Sequence, residues 1–144
     1  MHKYFEPQDF DKFDAAAKSV AQSFWQRLGY TCIENPDVYG VDLLVEGKDK
    51  QFGCEVEVKQ SWHGSDFPYP TLHVPFRKKK FTEGPTSFFV LNNGMTHAAM
   101  DSRTLVTASH VTMVKNYKVP TGEPFYCVPA QAIQVINLLA SIDP

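Results

Sequence analysis

The sequence predicts an α/β fold in which a central mixed β-sheet is flanked by helices. Two observations predict this class. The N-terminal part of the chain carries an amphipathic helical pattern, and short apolar segments separated by turn residues follow it. Helices and sheets with one apolar side bury that side against each other in layers. With 144 residues the chain is long enough for one continuous core, and we expect a single domain over residues 1–144.

The first predicted element is a helix from about Asp9 to Leu28. Apolar residues recur there at three- and four-residue steps and form one stripe that would face a core. Gly29 follows directly, which is typical of a helix C-terminus, and residues 30–33 then predict a first short strand. The stripe consists of Phe10, Phe13, Ala17, Val20, Ala21, Phe24 and Leu28.

Residues 39–60 predict a β-hairpin. Both arms are rich in apolar residues, and the polar, Gly-containing segment between them suits a short loop. A four-residue loop over residues 47–50 sets Glu46 opposite Gln51. Because opposed residues point to the same side and side chains alternate along a strand, this register brings three acids and a lysine to one face. They are Asp42, Glu55, Glu57 and Lys59.

The presence of three acids on one face of the hairpin needs a physical explanation. Carboxylates that share one patch repel one another, which raises their pKa values and destabilises the strand pair. A divalent cation removes the repulsion, because carboxylate oxygens are ligands that Mg²⁺ accepts while it keeps several waters. A neighbouring lysine adds a donor for a phosphate oxygen or a metal-bound water, and such a set suits phosphodiester hydrolysis. The alternative is an ordinary charged solvent face.

The hairpin resembles the motif of the PD-(D/E)xK nuclease superfamily, the fold of many restriction endonucleases, archaeal-type Holliday junction resolvases and phage exonucleases. The matching residues are Asp42, at the start of an apolar strand, and the Glu57-Val58-Lys59 triplet. The resemblance implies a restriction-endonuclease-like core and Mg²⁺ or Mn²⁺ as cofactor. It implies that Asp42, Glu57 and the Val58 carbonyl are metal ligands and that Lys59 assists the attacking water. Asp37, in the literal Pro-Asp pair, is the alternative aspartate.

Further acids are candidates for the same site. Glu55 has no fixed role in the family and would be an outer or second-metal ligand. Many members add an acid from the N-terminal helix, and Glu6, Asp11 and Asp14 are candidates here. Asp14 lies beside the apolar stripe and is the preferred one. The alternative for each of these helix acids is a solvated side chain.

Two segments after the hairpin are candidates for DNA contact. Residues 60–70 are rich in Gly, Pro and aromatic residues and predict a loop, in which Trp62 either stacks on a base or completes the core. Pro75 suits the first turn of a helix. The only dense basic run of the chain follows Pro75 and predicts a phosphate clamp. It consists of Arg77, Lys78, Lys79 and Lys80.

The remaining segments predict scaffold that completes the sheet and its flanking helices. They are a strand over residues 86–91, a turn over 92–94, an antiparallel return over 95–100, a short helix over 102–108, strands over 111–114 and 125–128, and a helix from Pro129 through 130–139.

Composition limits the function classes. A net charge of −2 argues against a generally basic nucleic-acid coat, so DNA contact would have to be local. The three cysteines are widely spaced and odd in number, which favours reduced thiols in an intracellular, cytoplasmic protein, in the host cytoplasm if a phage encodes it. We expect no membrane contact, because neither a signal peptide nor a membrane-spanning apolar run is present. A Gly-rich phosphate loop is also missing, so nucleoside-triphosphate use is not expected.

The function that these residues favour is a Mg²⁺- or Mn²⁺-dependent endonuclease acting on DNA. Asp42 and Glu57 would bind the metal, and Lys59 would act on the water or the scissile phosphate. A homodimer would allow a domain this small to cut both strands. The alternative is a nucleic-acid-binding module of the same fold without catalysis, although such a module would be expected to lose Lys59 or one of the acids.

Overall fold

The computed structural model describes residues 7–75, 78, 81, 84–102, 106, 108, 110–114 and 122–140. Within them it has one long helix, α1 (Pro7–Arg27), followed by nine strands and a short 3₁₀ helix, Ala130–Ala132. The strands are β1 (Thr31–Glu34), β2 (Leu43–Glu46), β3 (Gln51–Lys59), β4 (Thr71–Pro75), β5 (Thr86–Asn92), β6 (His97–Ser102), β7 (His110–Val114), β8 (Glu123–Pro129) and β9 (Gln134–Asn137).

Helix α1 confirms the predicted N-terminal helix. Three residues of its apolar stripe, Ala17, Ala21 and Phe24, are nearly inaccessible. Val20 is half-buried, and Leu28, just beyond the helix end, is exposed. These positions lie three or four residues apart and therefore share one face. Gly29 ends the helix at φ +96°, a left-handed conformation that glycine adopts without a Cβ clash.

The predicted hairpin and its register are also confirmed. Strands β2 and β3 are antiparallel, and Glu46 lies opposite Gln51. The Gly47 amide donates to the Lys50 carbonyl at 2.7 Å, which closes the four-residue loop. Farther along β3, Gly53 is required by packing, because a Cβ there would lie 2.6 Å from a methyl carbon of Val41. The start of the first arm therefore lies directly over the second.

The strands form two sheets. The first is a six-stranded mixed sheet in the order β1-β2-β3-β5-β6-β9, in which β3 and β5 are parallel and the other neighbours are antiparallel. This confirms the α/β class and the mixed sheet. The second is a three-stranded antiparallel sheet in the order β4-β8-β7.

Strand β5 lies at the centre of the molecule and is buried on both faces. Its Phe89 and Leu91 pack in a core with α1, and its Phe88 and Val90 pack in a second core with the three-stranded sheet. The layers are therefore helix, six-stranded sheet and three-stranded sheet. The second core consists of Trp62, Leu72, Val74, Phe88, Val90, Ala99, Val106, Tyr126 and Val128.

The three-stranded sheet differs from the prediction, in which helices flank the central sheet. Pro75 does not start a helix. It is the last residue of β4 and pairs with Phe125 of β8. A proline is tolerated at such a strand end, where the missing N–H breaks no continuing ladder. Leu72 and Val74 alternate with polar neighbours and face the core, which is the pattern of a half-buried strand.

The prediction of a helix from Pro129 onward is also wrong. After the short 3₁₀ helix, residues 134–137 form β9, which pairs with β6 at the edge of the large sheet. The β-branched Val135 and Ile136 favour a strand. The predicted helix over 102–108 lies mostly outside the described residues. No helix among the described residues is both long and apolar enough to cross a membrane.

Candidate functional site

Two acids of the hairpin, Asp42 and Glu55, are held together by the backbone. The Asp42 amide donates to Oε1 of Glu55 at 3.2 Å, and the Val56 amide donates to Oδ2 of Asp42 at 2.8 Å. The Asp42 carbonyl accepts from the Asn35 amide at 3.0 Å, so Asp42 is also tied to the chain that follows β1. Reciprocal bonds of this kind fix both carboxylates at one point, as the hairpin register predicted.

Both carboxylates are largely removed from water. Glu55 is only 7% exposed. Burial is the main cause that raises the pKa of Asp42 and the pKa of Glu55 above their ordinary values, and the Asp42 charge raises that of Glu55 further. Two like charges in a poorly solvated place are costly, which makes this pair a candidate for a functional site.

A lysine offsets each acid of the pair. Nζ of Lys18, on α1, lies 3.9 Å from Oδ1 of Asp42, and Nζ of Lys78 lies 3.3 Å from Oε2 of Glu55. Lys18 also pairs with Asp14 at 3.1 Å, one helical turn away. Asp14 therefore reaches the acidic pair through a lysine and not by direct contact. Glu6 and the side chain of Asp11 lie outside the described part of the chain.

Glu57 and Lys59 lie on the same face of β3 but farther from Asp42. Strand geometry places Glu57 roughly 7 Å beyond Glu55, and its Oε1 pairs with Nζ of Lys59 at 3.1 Å. The structure therefore brings Asp42 to Glu55, whereas the family motif pairs the aspartate with the acid of the Glu57-Val58-Lys59 triplet. The Val58 side chain points to the other face, against the core with α1.

Asp37 has a different local role. It is exposed, and its Oδ1 accepts a hydrogen bond from the Tyr39 amide at 3.0 Å, while its own amide donates to Asn35. Such bonds are typical of an Asx turn. Asp42, and not Asp37, is the aspartate that contacts the acids of β3.

The donor set suits a hydrated hard cation. The described residues contain no group of three or more His, Cys, Asp or Glu side chains placed to enclose a metal ion. Mg²⁺ is usually bound by one or two carboxylates together with waters and substrate phosphates. Asp42 and Glu55 supply two carboxylates, the first partly exposed and the second buried. Two such ligands fit that pattern and do not fit a four-ligand zinc site.

Trp62 is a core residue. Its side chain is completely buried, in the core between the two sheets. The prediction that its ring stacks on a base is wrong, because no face of the indole is open to a ligand. The alternative, that the loop aromatics complete the core, is confirmed for this residue.

The basic run is described only at Lys78. Its ammonium is directed to Glu55 and so neutralises a buried acid. Arg77, Lys79 and Lys80 lie outside the described residues, and their predicted contact with phosphates stays a prediction.

A pocket of about 300 Å³ opens beside Lys59, between the end of β3 and strand β4. His73 of β4 lies close enough that burial and the Lys59 charge lower its imidazole pKa, partly opposed by Glu57. The sequence predicted only a passive role for His73, and β4 itself was not predicted. The lining residues are Lys59, Ser61, Phe67, Tyr69, Pro70, Thr71, Leu72 and His73.

A second buried acid was also missed. Asp101 on β6 is 4% exposed; its Oδ1 accepts from the Ser102 amide at 2.8 Å, while its Oδ2 has no hydrogen-bond partner in the described structure. Burial raises the Asp101 pKa to about 6. The alternation of side chains along β6 could have indicated this burial, because Asp101 lies on the same face of the strand as Ala99.

Comparison of the chain with protein-family models, with curated proteins and with solved structures found no match.

Proposed function

We propose that this protein is a divalent-metal-dependent nuclease that hydrolyses phosphodiester bonds in DNA, with a restriction-endonuclease-like core. The observation that carries the proposal is the Asp42–Glu55 pair. Its two acids are joined by backbone hydrogen bonds, although burial raises the pKa of both and the Asp42 charge raises the pKa of Glu55 further. The resemblance of the hairpin to the PD-(D/E)xK motif supports the same reaction.

The cost of this pair argues for a ligand. A buried carboxylate near another carboxylate disfavours the ionised state of both. A divalent cation reverses that preference, since its charge favours two ionised ligands. Uncharged side chains of the same size at these two positions would avoid this electrostatic cost. A catalytic role therefore explains why two acids lie next to each other in the hairpin.

Each residue then has a definite role. Asp42 and Glu55 would hold the cation, and a bound cation would supply charge stabilisation at the phosphate and an activated water. Lys59 would donate to the scissile phosphate or to the attacking water, and its contact with Glu57 keeps the ammonium on the same face. Glu57 is the alternative second ligand that the family motif implies.

One observation favours a second function, a DNA-binding module without catalysis. Each of the three acids on the hairpin face already has a lysine partner: Lys18 for Asp42, Lys78 for Glu55 and Lys59 for Glu57. Acids neutralised in this way do not need a metal. The two functions are separated by whether divalent cations bind and support cleavage.

The test is a titration of Mg²⁺ and Mn²⁺ with a panel of labelled DNA substrates: duplex, flap and four-way junction. The variants Asp42→Asn, Glu55→Gln and Glu57→Gln are compared with Asp49→Asn, an exposed aspartate of the hairpin loop. We expect metal-dependent cleavage that falls about 100-fold or more in Asp42→Asn and Glu55→Gln and is unchanged in Asp49→Asn.

Glu57→Gln distinguishes the two ligand assignments. A loss in this variant as large as that in Glu55→Gln would make Glu57 an essential ligand or base. Full metal-dependent activity in Asp42→Asn would remove the acidic pair from the reaction. DNA binding without cleavage in either metal would favour the non-catalytic module.

A further inference from the structure

A chain of aromatic contacts links the second core to the pocket beside Lys59. Buried Trp62 packs edge-on against Phe67, with ring centroids 5.3 Å apart, and Phe67 packs edge-on against Tyr69 at 5.2 Å. The Tyr69 hydroxyl is hydrogen-bonded to the Ser61 hydroxyl. Since both ends of this chain are fixed, the Tyr69 ring is held in place before any ligand arrives. A preorganised aromatic wall loses little conformational entropy on binding.

Strand β4 forms the polar wall of the same pocket. Oγ1 of Thr71 and Nε2 of His73 are 2.9 Å apart, and the His73 ring packs against Phe125 of β8 at 5.5 Å. Burial and the Lys59 charge lower the pKa of His73 and so favour the neutral imidazole, which offers hydrogen bonds without a charge. Pairing of β4 with β8 holds this wall in place.

Lys59 is the one charged residue among the described residues that line the pocket. Its ammonium also contacts Glu57, so the pocket adjoins the acidic face at this residue. A volume of about 300 Å³ is at the small end of the range for ligand sites. The pocket therefore suits one small planar group that carries a negative charge at the Lys59 side.

We propose that this pocket binds a single unpaired nucleobase of the DNA substrate, with the base against Tyr69 and between the walls that carry His73 and Ser61, and with the attached phosphate at Lys59. The inference rests on the proposed nuclease function and specifies its substrate. Aromatic side chains bind any base through its π-face, and hydroxyl and imidazole groups reach the base edges. A paired base would have to leave the duplex to enter, at an energetic cost. The preferred substrate is therefore single-stranded, flapped or bulged DNA and not intact duplex.

The test measures binding without cleavage. Oligonucleotides carrying one 2-aminopurine, in a bulge or in a fully paired duplex, are titrated with protein in EDTA, and the base fluorescence and the affinity are recorded. We expect tighter binding of the bulged DNA with quenching of the fluorophore. Tyr69→Ala should weaken binding to bulged DNA by about 5- to 100-fold and leave duplex binding unchanged. Tyr69→Phe keeps the ring but loses the hydroxyl that bonds to Ser61, so it should weaken binding to bulged DNA less than Tyr69→Ala does.

Tyr39→Ala is the matched control, because Tyr39 is 80% exposed and does not line the pocket. Circular dichroism and thermal unfolding show whether each variant is folded. Equal affinity of the wild type for bulged and paired DNA, or equal weakening of both in Tyr69→Ala, would overturn the inference. If bulged DNA binds as expected but no divalent metal supports cleavage, the nuclease proposal fails and the base pocket stands. If the acid variants abolish cleavage while Tyr69→Ala changes nothing, only the pocket fails.

Discussion

Replacing Asp101 by Asn should change the way in which stability depends on pH. The Asp101 carboxyl is buried, and its Oδ2 has no partner in the described structure. Asn keeps the oxygen that accepts from the Ser102 amide and cannot ionise. The substitution therefore removes the titration while it leaves the shape of the side chain nearly unchanged.

The magnitude follows from the pKa. Burial raises the Asp101 pKa from 3.8 to about 6, and each tenfold change in proton affinity corresponds to about 1.4 kcal/mol. The folded protein thus binds this proton more tightly than the unfolded chain does. Stability is highest below the unfolded pKa and falls as the pH rises toward the folded pKa. Ionisation of Asp101 should lower the free energy of unfolding by about 3 kcal/mol across this range.

Urea unfolding followed by circular dichroism measures this effect at a series of pH values from about 3 to about 7.5. The free energy of unfolding of Asp101→Asn minus that of the wild type should rise by about 3 kcal/mol across the series. An unpaired amide in the variant adds an offset that is constant with pH, so only the slope is diagnostic. The exposed Asp49→Asn should show no such slope. A flat difference for Asp101→Asn would refute the reasoning, because Asp101 would then ionise without cost.

Three further predictions concern residues near the hairpin. Trp62→Ala should lower the free energy of unfolding by about 3–5 kcal/mol in urea titrations, as expected for a large core side chain; a change under about 1 kcal/mol would contradict its burial. Lys59→Ala should reduce turnover far more than DNA affinity, as for an interaction made mainly in the transition state; equal losses would make Lys59 only a ground-state phosphate contact. Lys78→Met should destabilise the metal-free protein by about 2–4 kcal/mol by leaving Glu55 unpaired. Adding Glu55→Gln should recover part of this loss, and no recovery would show that the two side chains are not coupled.

Local patterns were enough to predict the N-terminal half of the fold. Helix α1 has a clear helical periodicity, and a four-residue loop was predicted for the β2–β3 hairpin. Both elements are present in the structure, and the hairpin has the predicted register. The strands over 111–114 and 125–128 were predicted and correspond to β7 and β8. Strand β4 and the arrangement of the three strands in a separate sheet were not predicted, because this sheet depends on pairing between residues far apart in sequence. The segment over 130–139 was assigned to a helix on its apolar content, whereas β-branched residues and pairing with β6 made it a strand.

At the candidate site, the sequence predicted which residues share one face of the hairpin, but it did not predict which of their side chains are in contact. The predicted register placed Asp42 opposite Glu55, and the two residues are in contact in the structure. The resemblance to the nuclease motif had instead made Glu57 the expected partner of Asp42. The lysine partners of the acids come from α1 and from the segment after β4. Only the packing of the helix and of the second sheet brings these distant residues together. The place of His73 in the pocket was not predicted either, because it depends on the pairing of β4 with β8.

The two-sided burial of β5 ties the stability of the whole molecule to one strand. Peeling α1 away would expose Phe89 and Leu91, and peeling the three-stranded sheet away would expose Phe88 and Val90. Either partial opening leaves an apolar face of β5 in water, so the two layers cannot unfold as independent units. The β5 amides should therefore exchange with deuterium only through global unfolding, at the slowest rates in the chain, while the exposed turn over residues 35–40 exchanges through local fluctuations.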